Sequence, residues 1–142
     1  MYAGGNYKLH WHSDENYIYI GIKGKSIGWV AIGFEPSDEM KDADIVFGLI
    51  KNGGTLVLDQ FSTGVFGPHH PDIELGGTYD ILEFGGKEEN GTTIFEFKRA
   101  LDTGDQYDKV INKGIVKIIW AYGLSDEINI KHAVRGDGEI SI

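Results

Sequence analysis

The sequence predicts an all-β protein built as two packed β-sheets. Its 142 residues include 21 glycines, 12% aromatic residues and only 3 prolines. Short runs of apolar and β-branched residues alternate with glycine, asparagine and aspartate, and helical spacing of apolar residues is absent. A chain of this length forms one ordinary core, so residues 1–142 are expected to form one sandwich domain.

The predicted strands follow one another between turn residues. Tyr7–His12 and Tyr17–Gly24 flank the turn-like SDEN and form a predicted hairpin. The later strands are Gly28–Phe34, Ala43–Ile50, Thr55–Ser62, Thr78–Glu89, Thr92–Leu101, Ile115–Gly123 and His132–Ile142. KNGG and Asn90-Gly91 supply the positive φ angles of tight hairpin turns. One helical turn is expected at Pro36–Lys41, where proline and acids suit a helix N-terminus.

The strand GWVAIGF alternates large and small side chains. Val30, Ile32 and Phe34 are expected on one face, with Trp29, Ala31 and Gly33 on the other. The pattern does not determine which face is inward. The small residues beside Trp29 either leave room for a flat ligand or let two sheets approach closely, and both interpretations remain open.

Charge and composition exclude several functions. A net charge of -9 argues against a nucleic acid or an anionic membrane surface as partner. The absence of cysteine removes disulfides, thiolate metal sites and a cysteine nucleophile. No apolar run has the length of a membrane span, the given chain shows no signal peptide, and common hydrolase, kinase and nucleotide-binding motifs are missing.

Histidines and acids give two weak candidates for metal sites. His10 and His12 lie two apart in a predicted strand and so share a face, but a third ligand is not evident. His69 and His70 would complete a four-histidine site only if their loop reached the first strand. The acids of DTGD, Asp102 to Asp105, with Asp108 nearby, lack the spacing of an EF-hand loop and favour turn stabilisation.

An ordered series of motifs resembles the DOMON domain family. The series is GWVAIGF, EPSDEM, ADIVFG, STG at Ser62–Gly64, GGTYDI at Gly76–Ile81, RALDTGD, IIWAYG and HAVRG. The resemblance covers about Tyr7 to Gly136 and implies an immunoglobulin-like β-sandwich. Members of the family bind either b-type haem or sugars.

The resemblance to the haem-binding, cytochrome b type members implies two iron ligands. Their axial methionine follows the GWVAIGF-like strand, where Met40 stands, and their axial histidine follows the WAYG-like strand, where His132 stands. The implied cofactor is non-covalent haem b held by Met40 and His132. With both axial positions filled, such a site passes electrons and does not act as an enzyme.

Other functions remain open beside the haem interpretation. Tryptophan and tyrosine side chains could stack on sugar rings in a carbohydrate-binding module. The chain could also be a ligand sensor domain of a larger protein. The resemblance implies an extracytoplasmic location and either a redox partner or a sugar ligand, without nucleic-acid binding or direct membrane insertion.

Overall fold

The structure, a computed structural model, describes residues 5–37, 41–62, 64, 69–72, 81–104, 109–125 and 134–142. Ten strands form in this part of the chain: β1 Tyr7–Ser13, β2 Tyr17–Gly24, β3 Val30–Phe34, β4 Asp44–Lys51, β5 Gly54–Ser62, β6 His69–Pro71, β7 Glu83–Glu89, β8 Thr92–Ala100, β9 Ile115–Tyr122 and β10 Val134–Ser141. The described ranges contain no α-helix. The predicted all-β class is confirmed.

The strands pair into two antiparallel sheets. Sheet A has the order β1-β2-β8-β7, and sheet B has the order β10-β9-β3-β4-β5-β6. The central strands β3 and β4 of sheet B are buried on both faces, apart from the last residue of β4. Sheet B therefore has a covered outer face in addition to the face that packs on sheet A.

The sandwich core fills the space between the two sheets. Val30, Ile32 and Phe34 point into this core, together with Ile20 and Phe95 from sheet A. Trp29 and Ala31 belong to a separate apolar cluster on the other side of sheet B. The predicted alternation is confirmed, and the inward face is the one that carries the branched and phenyl side chains.

Tight turns set the register of two hairpins. Asn52 and Gly53 have φ angles of 53° and 77°, and Asn90 and Gly91 have 52° and 73°. Positive φ at both central residues gives the turn a twist that matches the flanking strands. Both predicted Asn-Gly hairpins are confirmed, joining β4 to β5 and β7 to β8.

Some expected elements differ from the structure. β6, at His69–Pro71, lies in a segment that was expected to be a loop, because it pairs with the distant strand β5. The strand expected from Thr78 begins at Glu83 within the described residues. The expected helical turn falls partly on residues 38–40, outside the described residues, and Ser37 N–H donates to the Lys41 carbonyl across it at 2.8 Å.

A buried ion pair joins the two sheets. The Arg99 guanidinium on β8 donates to the Asp44 carboxylate on β4, and both side chains are almost inaccessible to solvent. The same carboxylate accepts the Lys109 N–H at 2.9 Å, while Arg99 Nη2 donates to the Lys109 carbonyl at 2.6 Å. The pair thus fixes the segment after β8 against both sheets.

No helix among the residues that can be described is long and apolar enough to cross a membrane.

Candidate functional site

Among the described residues, the outer face of sheet B carries an apolar cluster that is separate from the core. Its buried members are Trp29, Ala31, Ala43, Ile45, Phe47 and Leu49, with Leu58, Ile119 and Ala121 packed against them. We call this set the apolar outer face. Its central side chains are buried although they point away from sheet A, so the molecule has a second buried apolar cluster. Sequence reasoning missed most of it; the signal was the continuous apolar run ADIVFGLI, which does not alternate.

Two alanines form the flat centre of the apolar outer face. Ala31 on β3 is paired directly with Ala121 on β9 and with Phe47 on β4. Gly33 is the next residue of β3 on this face. It does not leave a cavity, because a Cβ there would lie 2.7 Å from Ile119 Cγ1. Gly33 therefore gives its space to the Ile119 side chain, whereas Ala31 and Ala121 place only methyl groups on this face.

Aromatic and polar groups border this centre. The rings of Trp29 and Phe47 meet edge to face with centroids 5.3 Å apart. A Cβ at Gly123 would lie 2.3 Å from Trp29 Nε1, so glycine there makes room for the indole. Arg135 on β10 is paired with Ala121 and is exposed, which places a cation at the border of the apolar surface.

His69 belongs to the same face. Its ring lies 4.8 Å from the Phe47 ring, centroid to centroid, and its Nδ1 hydrogen-bonds to Gln60 Oε1. Gln60 is itself buried, with 2% exposure. Burial lowers the pKa of His69 below its usual value of 6.5, and the neighbouring His70 lowers it further. The His69 ring is therefore neutral at physiological pH.

The two predicted iron ligands, Met40 and His132, lie outside the described residues. The segment with Met40 leaves β3 at Phe34 and rejoins the sheet at Asp44, whereas β10 begins at Val134, opposite Tyr122 and the start of β3. These two ends of β3 are separated by roughly 13 Å at about 3.3 Å per residue. The segments thus join sheet B at opposite ends of the apolar outer face.

The outer face of sheet A carries a separate groove of about 520 Å³. One row across it is His10, Gly21, Glu96 and Gly85, and the next row is His12, Tyr19, Lys98 and Glu83. A Cβ at Gly85 would meet nothing within 4 Å, and one at Gly21 would make only ordinary contacts. Neither glycine has a positive φ angle, so their effect is to keep the floor of the groove open.

The histidines do not assemble into one metal site. His10 and His12 project from sheet A on the side away from sheet B, so they cannot meet His69 and His70 on β6. The four-histidine site is therefore wrong. Within the described ranges, no group of three or more acids and histidines is placed to hold a metal ion.

The expected turn role of the DTGD acids is confirmed for its first member. Asp102 Oδ1 accepts a hydrogen bond from the Gly104 N–H at 3.0 Å, which forms an Asx turn. Asp105 and Asp108 lie outside the described residues.

Comparison with known families places this β-sandwich among domains of one class. The sequence profile of the DOMON domain matches residues 3–123, a range that includes Met40 and ends before His132. The chain therefore belongs to the DOMON family.

Two relatives of similar sequence are DBH-like monooxygenase proteins. DBH-like monooxygenase protein 1 of Homo sapiens is 34% identical over 124 residues, and that of Mus musculus is 30% identical over 122 residues; each match covers 86% of this chain and 19% of the relative. The chain thus spans about a fifth of the length of these curated relatives.

Two solved structures that share this fold are cytochrome domains. The cytochrome b domain of pyranose dehydrogenase from Coprinopsis cinerea superimposes with a TM-score of 0.67 at 12% identity, covering 99% of this chain and 80% of that one. The cytochrome domain of Myriococcum thermophilum cellobiose dehydrogenase gives 0.58 at 12% identity, covering 96% and 74%. The DOMON sandwich expected from the sequence is confirmed at the level of fold.

Proposed function

We propose that this DOMON domain binds haem b non-covalently on the apolar outer face, with Met40 and His132 as axial ligands, and transfers electrons to a redox partner. The observation that carries the proposal is the apolar cluster around Ala31, with Ala121 packed against it, on the strand whose two ends adjoin the segments with the proposed ligands. The similarity to cytochrome b domains supports it at the level of fold.

The residues present fit a flat, largely apolar group with carboxylates at its edge. The small side chains of Ala31 and Ala121 leave room for an apolar ring beside this face, and Trp29 and Phe47 exclude water next to it. Arg135, exposed and paired with Ala121, is suited to bind a propionate. Met40 and His132, whose segments join sheet B at opposite ends, would hold the iron.

The ligand types determine the expected chemistry. A bound haem would supply one-electron transfer. The imidazole of His132 would be the stronger donor, and the Met40 thioether would favour a higher reduction potential than a second nitrogen ligand. With both positions filled by side chains, no position remains for oxygen or substrate. The domain would serve a catalytic partner outside the cytoplasm and would not itself be an enzyme.

Titration of the apoprotein with haemin tests the proposal. We expect stoichiometric uptake and, after reduction, the sharp low-spin bands of a b-type cytochrome. His132→Ala should lose haem retention, because the nitrogen donor is removed. The control His10→Ala, on sheet A, should leave the spectrum unchanged. A wild-type protein that takes up no haemin, or a His132→Ala protein with the wild-type spectrum, would contradict the proposed site.

The groove on sheet A supports a second candidate function, sugar binding. Tyr19 is partly exposed, with His12 against its ring at 5.9 Å and the Lys98 ammonium 5.4 Å from its centroid. Carboxylates of Glu83 and Glu96 stand beside the open glycines and could accept hydrogen bonds from hydroxyl groups. An aromatic ring flanked by hydrogen-bonding groups is suited to a saccharide.

Calorimetric titration with soluble oligosaccharides tests this candidate in haem-free protein. Binding should be weakened at least about tenfold by Tyr19→Ala, as expected when a stacking contact worth ~1.4 kcal/mol is lost. It should be unchanged in a Met40→Ala, His132→Ala double variant. Sugar binding that depends on Met40 or His132 would assign the saccharide to the other face.

A further inference from the structure

His69 is placed to act on the proposed haem site from the side of Met40. In the β5–β6 ladder it is paired with Ser62. The Ser62 N–H donates to the Ala43 carbonyl at 3.1 Å, and the Asp42 N–H donates to the Ser62 carbonyl at 2.9 Å. These bonds tie β5 to the segment that follows Met40. His69 therefore lies at the end of the apolar outer face where this segment rejoins the sheet.

The hydrogen bond of the His69 ring leaves the lone pair of its other nitrogen free to bind a metal ion. Because the Gln60 amide oxygen can only accept, Nδ1 carries the proton and Nε2 carries the lone pair. Within the described part of the chain, Nε2 has no hydrogen-bond partner. Metal-binding histidines commonly hold their second ring nitrogen in this way, with the N–H donated to a fixed oxygen that orients the ring.

The surroundings of the ring favour coordination over solvent contact. His69 is only partly exposed, its ring stacks at a tilt of 37° on Phe47, and Gln60 is buried. A ring held by one stacking contact and one hydrogen bond loses little further freedom when it binds a ligand.

We propose that His69 is an alternative ligand of the haem iron: its Nε2 would bind the iron in place of the Met40 sulfur, with His132 as the other ligand. This inference rests on the proposed haem site. It gives the domain two ligand pairs of different strength, since replacement of the thioether by a second imidazole lowers the reduction potential. The exchange changes only ligands and needs no further reactant.

Spectra of Met40→Leu, with and without His69→Phe, test the inference. Leucine keeps the volume of methionine and removes the sulfur. If His69 takes the vacant position, haem in Met40→Leu remains six-coordinate and low-spin, its potential is lower than in wild type, and carbon monoxide binds only slowly. The Met40→Leu, His69→Phe double variant should then be high-spin and bind carbon monoxide readily.

Two further variants separate positioning from packing. Met40→Leu, His10→Phe is the matched control and should have the same spectrum as Met40→Leu. Met40→Leu, Gln60→Leu should give a mixture of low-spin and high-spin haem, because the ring loses the bond that orients it. Should His69→Phe disturb folding of the apoprotein, His69→Gln, which keeps a polar side chain without a strong ligand, replaces it.

The outcomes distinguish this inference from the haem site itself. A Met40→Leu protein that is as high-spin and as reactive to carbon monoxide as the double variant overturns the role of His69 and leaves Met40/His132 ligation intact. A wild-type protein that takes up no haemin overturns the proposed function and this inference with it.

Discussion

The Arg99–Asp44 pair is a buried contact between side chains of opposite charge. Both side chains are almost fully buried, and the pair links β8 of sheet A to β4 of sheet B. A buried pair of this kind contributes little net energy when it is intact, because desolvation offsets the attraction. Removal of one partner is different, since it leaves a charge in the core without its counterion.

Arg99→Met should therefore destabilise the protein by about 3–5 kcal/mol. The methionine fills much of the volume but removes the guanidinium that neutralises the Asp44 carboxylate. Urea unfolding followed by circular dichroism measures the change. The exposed Lys87–Glu89 pair, with N–O distance 3.0 Å, provides the control. Lys87→Met should change stability by less than about 1 kcal/mol. Similar losses in the two variants would contradict the assigned role of burial.

Asp14 gives a pH-dependent prediction at the first hairpin. Its carboxylate accepts hydrogen bonds from the backbone N–H groups of Asn16 and Tyr17, each at 2.8 Å. These bonds, first that of Asn16 and then that of Tyr17, lower the pKa of Asp14 below its usual 3.8. The unfolded chain therefore takes up the proton first, and the stabilisation is present above the unfolded pKa and lost as pH falls through the folded pKa.

Asp14→Asn should remove this pH dependence. The asparagine oxygen can still accept from the turn but does not titrate in this range. Denaturation midpoints measured from about pH 6 down to about pH 2.5 should converge for the two proteins in the most acid samples. A constant difference between wild type and Asp14→Asn across this range would show that the carboxylate charge does not matter.

At the scale of elements, the hairpins were predictable and β6 was not. Asn-Gly turns at 52–53 and 90–91 are local signals, since their left-handed angles depend on the residues of the turn themselves. β6 contains only His69, His70 and Pro71, and it is a strand because β5 offers an edge to it. Proline is tolerated there since an edge strand need not donate on both sides. Such non-local pairing has no signal in a three-residue segment.

Gly91 and Gly85 allow a matched test of the turn. A Cβ at either position would meet nothing within 4 Å, but only Gly91 has a positive φ, of 73°. Gly91→Ala should therefore cost ~1–2 kcal/mol from backbone strain alone. Gly85→Ala should change stability by at most about 0.5 kcal/mol, because it is an exposed strand substitution. Thermal unfolding of both variants measures the two stability losses. Equal losses would show that the positive φ angle of Gly91 is not the cause.

At the scale of the whole molecule, sequence patterns could not assign the inward face of sheet B. β3 is buried throughout, so a period of two between buried and exposed residues is missing. The order of motifs along the sequence was sufficient to predict the family and the fold, because the motif order follows the order of the strands. The composition of the apolar outer face was not predictable, since Ala31, Ala121 and Phe47 come from three separate strands and meet only through pairing.

The two outer faces of the sandwich should act independently, and Ala121→Phe tests this at the proposed haem site. Ala121 lies beside Ala31 on the side away from the core, so a phenyl ring there occupies the flat centre without entering the space between the sheets. We expect haemin affinity to fall at least about tenfold, equivalent to ~1.4 kcal/mol. Folding should be retained, since partly exposed overpacking costs at most about 1–3 kcal/mol.

Tyr19→Ala is the control on the opposite sheet, because Tyr19 lines the groove of sheet A. It should leave haemin affinity and the reduced spectrum unchanged, while circular dichroism verifies that both variants remain folded. If Ala121→Phe binds haemin as wild type does and Tyr19→Ala does not, haem binds on the outer face of sheet A and not on that of sheet B. In that case the apolar outer face of sheet B would serve packing alone, and the haem would have to be placed over the groove that Gly21 and Gly85 keep open.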